Sequence, residues 1–404
     1  MAQDSGRFSN ISWNRVSQLS KQTDGGGTAS PTGFCSIASL IRSARSSRRE
    51  SQVSTVSSGN LSKSRSFLSN GDGSSSSGPV IEGNLQVLGG IDCGETVLSI
   101  QHSENGSSLL AGLVSGQIKV YNPVNGSIVT TLENEEILSN GKALSRLRCK
   151  PYTDFQPNTL VAATYVSGHL RLWNFATGQC AAQVRDDDKN AEYLSLSFNP
   201  FADVIAVGLS NGHIKLYDEN TLQVVSLLHK SLSPFKNNGH TNRVLCIANH
   251  PTNPHEFVSS GWDNTLQFWD ARCPNSIRST FGAFVCGEGL VFDRKGRDLV
   301  VASWRGKQQL QLIDYTTGKL IEDIEPQLTN HYLTSAQYLN KDLLITCGTN
   351  LGIIKVVDLQ KKATIASITE LPGIYDIDMA KKAVTGHRFL ITNNTSIVTI
   401  EYNK

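Results

Sequence analysis

The sequence has no long apolar run. None of its hydrophobic stretches approaches the roughly 18 uncharged apolar residues that a membrane-spanning helix needs. Its N-terminus also lacks the basic-then-apolar pattern of a signal peptide. We therefore expect a protein with no membrane span that is cytoplasmic, nuclear or both, and that is not secreted.

Paired cysteines and excess charge are missing too. The eight cysteines include no Cys-x-x-Cys pair, which argues against a zinc knuckle, a redox motif or a disulfide framework. We expect reduced, mostly buried thiols and no bound metal. The net charge is only +2, so the whole-chain balance does not call for nucleic acid as the main partner.

Motifs of nucleotide and hydrolytic chemistry are absent as well. The chain has no Gly-x-x-x-x-Gly-Lys-Ser/Thr phosphate loop, no His-Glu-x-x-His zinc motif and no Gly-x-Ser-x-Gly nucleophile turn. We expect a protein that is not an enzyme and needs no cofactor.

The first 79 residues are rich in Ser, Gly, Arg and Thr, and they hold nine Lys or Arg against four Asp or Glu. Such a composition cannot bury enough apolar surface to offset its ordering entropy, which predicts a disordered basic tail over residues 1–79. Ser51 and Ser66 follow basic residues and resemble sites of basophilic kinases. Phosphate there would cancel positive charge on the tail.

After Val80 a strand–turn–strand pattern repeats. Its markers are an aromatic residue or an aliphatic substitute, spaced 52, 44, 52, 44, 44 and 43 residues apart: Tyr121, Trp173, Tyr217, Trp269, Ile313, Val357 and Ile400. A four-stranded propeller blade takes about 40 to 45 residues, so seven markers predict an all-β, seven-bladed β-propeller over residues 80–404. Too few residues follow Ile400 for an outer strand, and we expect strand 83–88 to close the last blade.

The fourth repeat is the most specific. Gly239-His240 opens it, and it continues through Ser259-Ser260-Gly261-Trp262-Asp263 to a strand that ends in Trp269-Asp270. This repeat resembles those of the WD40-repeat family. The resemblance implies a buried, structural hydrogen-bonded chain made by His240, Ser259, Asp263 and Trp269.

Ala271 and Arg272 follow directly after Trp269-Asp270. Trp-Asp-x-Arg resembles the box of WD-repeat substrate receptors of cullin-RING ubiquitin ligases, in which the Arg contacts the large propeller adaptor. The resemblance implies an adaptor contact for Arg272. The alternative is a solvated turn in which the guanidinium has no partner outside the chain.

Two groups of residues are candidates for partner recognition. In the WD40-repeat family, the turns between second and third strands and the links between blades lie on one face. Large aromatic residues beside an arginine dominate binding hot spots, and those expected on that face are Tyr165, Trp262, Trp304 and Arg305. The alternative is that the aromatic residues pack between blades.

The same face is expected to carry an acidic sector that would suit a basic peptide rather than a metal. Its members are Glu133, Glu135, Glu136, Asp186, Asp187 and Asp188.

Three functions follow from these features. The first is a non-catalytic scaffold that displays or recruits other proteins on a propeller face, with the propeller itself monomeric. The second is a ubiquitin-ligase substrate receptor that uses Arg272. The third is a chromatin or nucleic-acid binder that uses the basic tail, although the arginines there have no interleaved aromatic residues.

Overall fold

The computed structural model describes residues 79–403, except for 153–157, 234–235, 326–330, 350–351, 372 and 381–385. Ser51, Ser66 and residues 1–78 of the predicted tail lie outside the described residues. Residues from Ile81 onward form one compact unit that contains all the sheets given below.

Short strands alternate with tight turns, as the sequence pattern predicts. Two strands precede the first blade: β1 (Val80–Glu82) and β2 (Leu85–Asp92). Blades one to four each contain four antiparallel strands. In chain order these are β3 (Val97–His102), β4 (Leu109–Leu113), β5 (Ile118–Tyr121), β6 (Ile128–Leu132), β7 (Leu144–Cys149), β8 (Leu160–Tyr165), β9 (His169–Asn174), β10 (Gln179–Arg185), β11 (Tyr193–Phe198), β12 (Val204–Leu209), β13 (Ile214–Asp218), β14 (Val224–Leu228), β15 (Val244–Asn249), β16 (Glu256–Gly261), β17 (Thr265–Asp270) and β18 (Arg278–Phe281).

Blades five to seven hold the remaining eleven strands. In chain order these are β19 (Leu290–Phe292), β20 (Asp298–Ala302), β21 (Leu310–Asp314), β22 (Leu320–Ile324), β23 (Tyr332–Tyr338), β24 (Leu343–Thr349), β25 (Ile353–Asp358), β26 (Ala363–Thr369), β27 (Ile377–Met379), β28 (His387–Asn393) and β29 (Ser396–Tyr402). One helix among the described residues, α1 (Glu135–Asn140), links blades one and two.

The first strands of the blades contact one another in a closed cycle of β3, β7, β11, β15, β19, β23 and β27. These strands therefore form the inner ring around a central channel. The seven-bladed all-β fold is confirmed.

Blade seven receives its outer strand from the start of the domain. Strand β2 pairs antiparallel with β29, with Leu85 opposite Tyr402 and Asp92 opposite Ser396. The closing strand begins and ends later than the expected 83–88. Its start is later because Gly83 adopts a left-handed φ of 76° in the turn before it, and its end follows the pairing with β29 to Asp92 opposite Ser396. A Cβ at Gly83 would lie 2.7 Å from the Ile365 carbonyl oxygen, so the turn requires glycine.

Blade six has a fifth strand that the sequence pattern did not predict. Strand β1 lies beside β26 at the outer edge of that blade, and the Ser367 hydroxyl donates to the Glu82 carboxylate at 3.2 Å. Three residues are too few to show a two-residue periodicity, which explains why the pattern gave no sign of this strand.

The hydrophobic core consists of layers between neighbouring blades. Between blades one and two, Leu110 and Val120 from one sheet pack with Leu147, Val161 and Trp173 from the next, and all five are buried. Every blade thus buries both faces of its sheet, which accounts for the nearly continuous apolar runs of its middle strands.

Candidate protein-interaction site

In blade four the structure brings the four expected residues into one chain of hydrogen bonds. The Trp269 indole Nε1–H donates to the Ser259 hydroxyl at 2.7 Å. The Ser259 hydroxyl lies 2.7 Å from His240 Nε2, and His240 Nδ1 lies 2.8 Å from an Asp263 oxygen. Because a carboxylate can only accept, His240 donates through Nδ1 and accepts the Ser259 proton through Nε2.

The Asp263 carboxylate is satisfied in its buried position. Burial alone would raise its pKa, but the hydrogen bond from His240, with those from the Thr241 amide and the Thr265 hydroxyl, holds the pKa below its ordinary value. The carboxylate therefore stays ionised and ties the turn before β17 to the start of the blade. The arrangement suits a structural role, since Ser259 is wholly buried and its hydroxyl is already hydrogen-bonded to His240 and Trp269.

In blade two, Tyr165 lies inside the propeller, and the prediction that it faces a partner is wrong. Tyr165 is 0% exposed. It ends β8 opposite Leu144, at the position that Gly261 takes at the end of β16 opposite Val244. Its side chain occupies the interior of the blade. The Arg171 guanidinium lies 4.7 Å above the Tyr165 ring, and burial raises the pKa of Tyr165 to about 12.

Trp262 and Trp304 belong to a row of four half-buried aromatic residues. From blade four to blade six, the ring centroids of Trp262 and Phe284 lie 6.4 Å apart, those of Phe284 and Trp304 6.3 Å, and those of Trp304 and Tyr332 4.7 Å. The Trp304 indole donates to the Thr349 hydroxyl at 3.0 Å. We call Trp262, Phe284, Trp304 and Tyr332 the aromatic row. The four rings pack against one another between blades, and each also stays partly exposed on the surface.

Two arginines flank the aromatic row. Arg305 donates from Nε to the Gln308 carbonyl at 2.9 Å and from Nη1 to the Gly282 carbonyl, so its charge is fixed in place without a carboxylate contact. Arg243 lies over the Trp262 ring at 5.5 Å and pairs with Glu192 at 3.3 Å. These contacts hold two positive charges beside the rings and leave little rotamer freedom to lose on binding.

The acidic sector is smaller than the sequence predicts. Glu136 accepts from the Arg171 guanidinium and lies 3.3 Å from His169 Nε2. Glu133 accepts from the Gln117 amide. Both carboxylates therefore fix the linker that contains α1 to blades one and two, and the Glu136 side chain, 41% exposed, is already paired within the chain.

Asp186 is also an internal residue. Its carboxylate accepts from Lys215 Nζ at 2.7 Å and from the Tyr193 hydroxyl at 2.9 Å. Burial would raise the pKa of Asp186, but Lys215 and the other donors lower it overall. The fully exposed members of the acidic sector are Glu135, Asp187 and Asp188.

The sequence did not predict an ionic cluster inside the ring. Arg146, on β7 of blade two, is 0% exposed; its Nε lies 2.9 Å from Glu288 of the linker into blade five, and its Nη1 lies 3.4 Å from Asp376 of the linker into blade seven. Arg148 lies 2.5 Å from the other Glu288 oxygen, and the Ser99 hydroxyl donates to Asp376 at 2.9 Å. We call Arg146, Arg148, Glu288 and Asp376 the channel cluster.

The channel cluster crosses the ring, because blades two and five lie on opposite sides of a seven-membered ring. Burial raises the pKa of Asp376, and the guanidinium groups of Arg146 and Arg148 act in the opposite direction. The sequence does carry a signal, since two arginines at alternate positions of an otherwise uncharged inner strand place both charges on one face of that strand.

Comparison with known families matches one repeat of this chain. The family model described as "WD domain, G-beta repeat" covers residues 231–270, which include the whole hydrogen-bonded chain of blade four. The chain is a WD40-repeat β-propeller. The matching repeat is the one whose buried polar residues are complete, and the other WD40 blades are recognisable by their strand order and spacing.

Several curated proteins are similar to parts of this WD40 propeller. The Pre-mRNA-processing factor 19 homolog 2 of Arabidopsis thaliana is 25% identical over 146 residues, which are 36% of this chain and 25% of that protein. A Ribosome biogenesis protein YTM1 of Phaeosphaeria nodorum is 33% identical over 121 residues, 29% of this chain and 24% of that one. The Target of rapamycin complex subunit wat1 of Schizosaccharomyces pombe is 29% identical over 124 residues, 31% of this chain and 36% of that one. The matched stretches thus span about a quarter to a third of these relatives.

The Trp269-Asp270-Ala271-Arg272 segment of the WD40 propeller has a definite geometry. The Arg272 side chain is 67% exposed, and it donates to both Asp270 oxygens, at 2.8 and 2.6 Å. The hydrogen bonds and charge of Arg272 lower the pKa of Asp270 to about 2. An adaptor that contacts Arg272 would therefore meet a guanidinium already paired within the chain.

Other classes of site are not evident in the described parts of the chain. No three His, Cys, Asp or Glu side chains there gather as a metal site would require. No helix in those parts is long and apolar enough to cross a membrane. The seven cysteines that the structure describes are all free thiols, and Cys273 alone among them is exposed.

Proposed function

We propose that this WD40 propeller is a non-catalytic protein-interaction scaffold that holds a partner protein against the aromatic row. The observation that carries the proposal is the row itself, four half-buried rings continuous across three blades with Arg243 and Arg305 beside them. Tryptophan, tyrosine and arginine are the residue types most enriched in binding hot spots.

The channel cluster supports binding on the face rather than inside the ring. Its buried charges occupy the centre of the ring, and a partner that threaded the channel would have to separate them at a large electrostatic cost. The names of the relatives agree with a role in assemblies, since one of them is a subunit of the target of rapamycin complex and another is a ribosome biogenesis protein.

Affinity purification of the full chain, followed by quantitative mass spectrometry, tests the proposal. Trp304→Ala removes the central large ring of the row, and we expect at least one co-purifying protein to fall by tenfold or more. Phe201→Ala is the matched control, because Phe201 is a 60% exposed aromatic residue in the turn between β11 and β12 of blade three, at the opposite ends of the strands from the turns that carry Trp262 and Trp304.

The two variants separate recognition from folding. Thermal unfolding of both purified proteins establishes that each retains the propeller. If the set of partners is the same for the wild type, Trp304→Ala and Phe201→Ala, the aromatic row is a packing feature and the proposal is wrong.

The two more specific functions stay predictions. The ubiquitin-ligase hypothesis predicts that a cullin-RING adaptor co-purifies with the wild type and is lost with Arg272→Ala. The nucleic-acid hypothesis predicts binding that weakens steeply with salt and disappears when residues 1–79 are removed. We further propose that the propeller is monomeric and that the protein is cytoplasmic, nuclear or both.

A further inference from the structure

The positive and the negative side chains of the face that carries the aromatic row lie in different blades. The turn between β20 and β21, Ser303–Gln309, contributes Trp304, Arg305 and Lys307 and contains no Asp or Glu. The exposed carboxylates of the acidic sector belong to the linkers around blade two, away from blades four to six. A partner segment that lies along the row therefore meets positive charge.

The carboxylates around the row are engaged within the chain. Asp263 is bound by His240, and Glu288 by the two arginines of the channel cluster. In the parts of the chain that the structure describes, neither Arg305 nor Lys307 forms an ion pair. Asp323, which accepts from the Gln308 side-chain amide at 2.8 Å, acts on the charge of Arg305, so the positive charge beside the row rests mainly on Lys307, which is exposed.

The orientation of the rings favours one kind of ligand. Trp262 is nearly parallel to Phe284, with an interplanar angle of 15°, and Trp304 lies at 30° to Tyr332. At 4.7 Å the Trp304 and Tyr332 rings cover each other, and Arg243 lies over the Trp262 ring. These ring faces are thus partly occupied within the chain, which leaves ring edges, with their partial positive charge, to meet a ligand. Nucleic-acid bases need free ring faces for stacking, whereas carboxylate oxygens and apolar side chains pack well against ring edges.

We propose that the aromatic row binds an acidic peptide segment that carries large apolar side chains. The carboxylates of the segment lie toward Arg305 and Lys307, and its apolar side chains pack between the ring edges. This inference rests on the proposed scaffold function and names the chemical class of the partner.

Fluorescence anisotropy with the full-length chain tests the inference. The probe is a fluorescein-labelled nine-residue peptide of sequence Asp-Glu-Phe-Asp-Glu-Leu-Phe-Asp-Glu, at about 50 mM salt. Control ligands are the same peptide with Asn and Gln in place of Asp and Glu, and a labelled 20-mer oligouridine. We expect saturable binding of the acidic peptide, at least tenfold weaker binding of the amide peptide, and weaker binding at high salt.

Charge reversal locates the binding site. Lys307→Glu is expected to weaken binding of the acidic peptide about fivefold or more, because one attraction becomes a repulsion. Lys319→Glu is the matched control: it makes the same charge change at an exposed residue of blade five, in the turn at the opposite end of β21. Binding by Lys319→Glu should equal that of the wild type.

Two results would overturn the inference. One is failure of the acidic peptide to bind better than the amide peptide, or equal effects of the Lys307→Glu and Lys319→Glu variants. The other is tighter binding of oligouridine than of the acidic peptide, with loss in Lys307→Glu, which would assign the row to nucleic acid. If the peptide fails while Trp304→Ala still loses its co-purifying protein, the scaffold function stands and only the partner class is wrong.

Discussion

Replacing Arg146 by methionine removes one cation from the middle of the channel cluster. Methionine keeps much of the volume of the side chain but leaves the buried Asp376 and the nearly buried Glu288 with only Arg148 as a cationic neighbour. At an effective dielectric constant of about 20, each of the two contacts made by Arg146 contributes on the order of 5 kcal/mol of Coulomb energy. Most of this offsets the desolvation of the charges themselves.

The net effect is smaller than the gross attraction. Removing one partner of a buried ion pair destabilises a protein by about 3–5 kcal/mol, because an uncompensated charge stays buried. We expect a loss of that size for Arg146→Met, measured as the free energy of unfolding in urea by tryptophan fluorescence. The double variant Arg146→Met with Asp376→Asn removes a cation and an anion together and leaves Arg148 paired with Glu288. It should be more stable than Arg146→Met by at least about 1 kcal/mol.

This pattern of stabilities is the test of the reasoning. A cost below about 1 kcal/mol for Arg146→Met would mean that the channel is hydrated and the charges are screened. A double variant that is less stable than Arg146→Met, with the two costs simply adding, would mean that Arg146 and Asp376 do not interact.

Three further predictions concern other parts of the propeller. Because the pKa of Asp263 is lowered on folding, its ionised carboxylate stabilises the folded state above the unfolded pKa of about 3.9, and this stabilisation is lost as the pH falls toward the folded pKa. Asp263→Asn should therefore flatten the dependence of the urea midpoint on pH between about 5 and 2. An unchanged slope would contradict the account. NMR titration of Asp270 should give a pKa of about 2, which rises toward its ordinary value in Arg272→Ala; equal values in the two proteins would show that the pair does not form in solution. Gly83→Ala should destabilise the domain by at least about 2 kcal/mol in a urea titration, since φ is 76° and the new Cβ would overlap the neighbouring strand. No change in the free energy of unfolding would show that the turn before the closing strand is not constrained.

Much of the architecture could be predicted from the sequence because it follows from local patterns. The spacing of Tyr121, Trp173, Tyr217 and Trp269 gives the length of a blade, and all four are buried as the repeat requires. The hydrogen-bonded chain of blade four also depends on residues of one repeat, so its members could be named in advance. The later start of the closing strand depends on the conformation of Gly83, and its later end on the pairing with β29, and the strand pattern contains neither.

The candidate site was harder to predict because its residues come together only when the ring closes. Phe284 and Tyr332 flank Trp304 in space, but they lie in or next to the linkers between blades, where no repeat position marks them. The partners of Arg146 are more than 140 and 220 positions away along the chain, in Glu288 and Asp376. The prediction for Tyr165 is wrong for a local reason: a residue at the end of a strand need not be exposed, and Tyr165 is 0% exposed at the position that Gly261 takes in blade four.

Site-specific photo-crosslinking tests the central claim most directly. A benzophenone amino acid takes the place of Tyr332 in the aromatic row or, as the control, of exposed Phe201 in the turn between β11 and β12 of blade three, and the full-length protein is irradiated in cells. The account predicts a discrete crosslinked protein from position 332 that is absent from position 201 and that disappears when Trp304→Ala is added. The same crosslinks from both positions, or none from position 332, would contradict it.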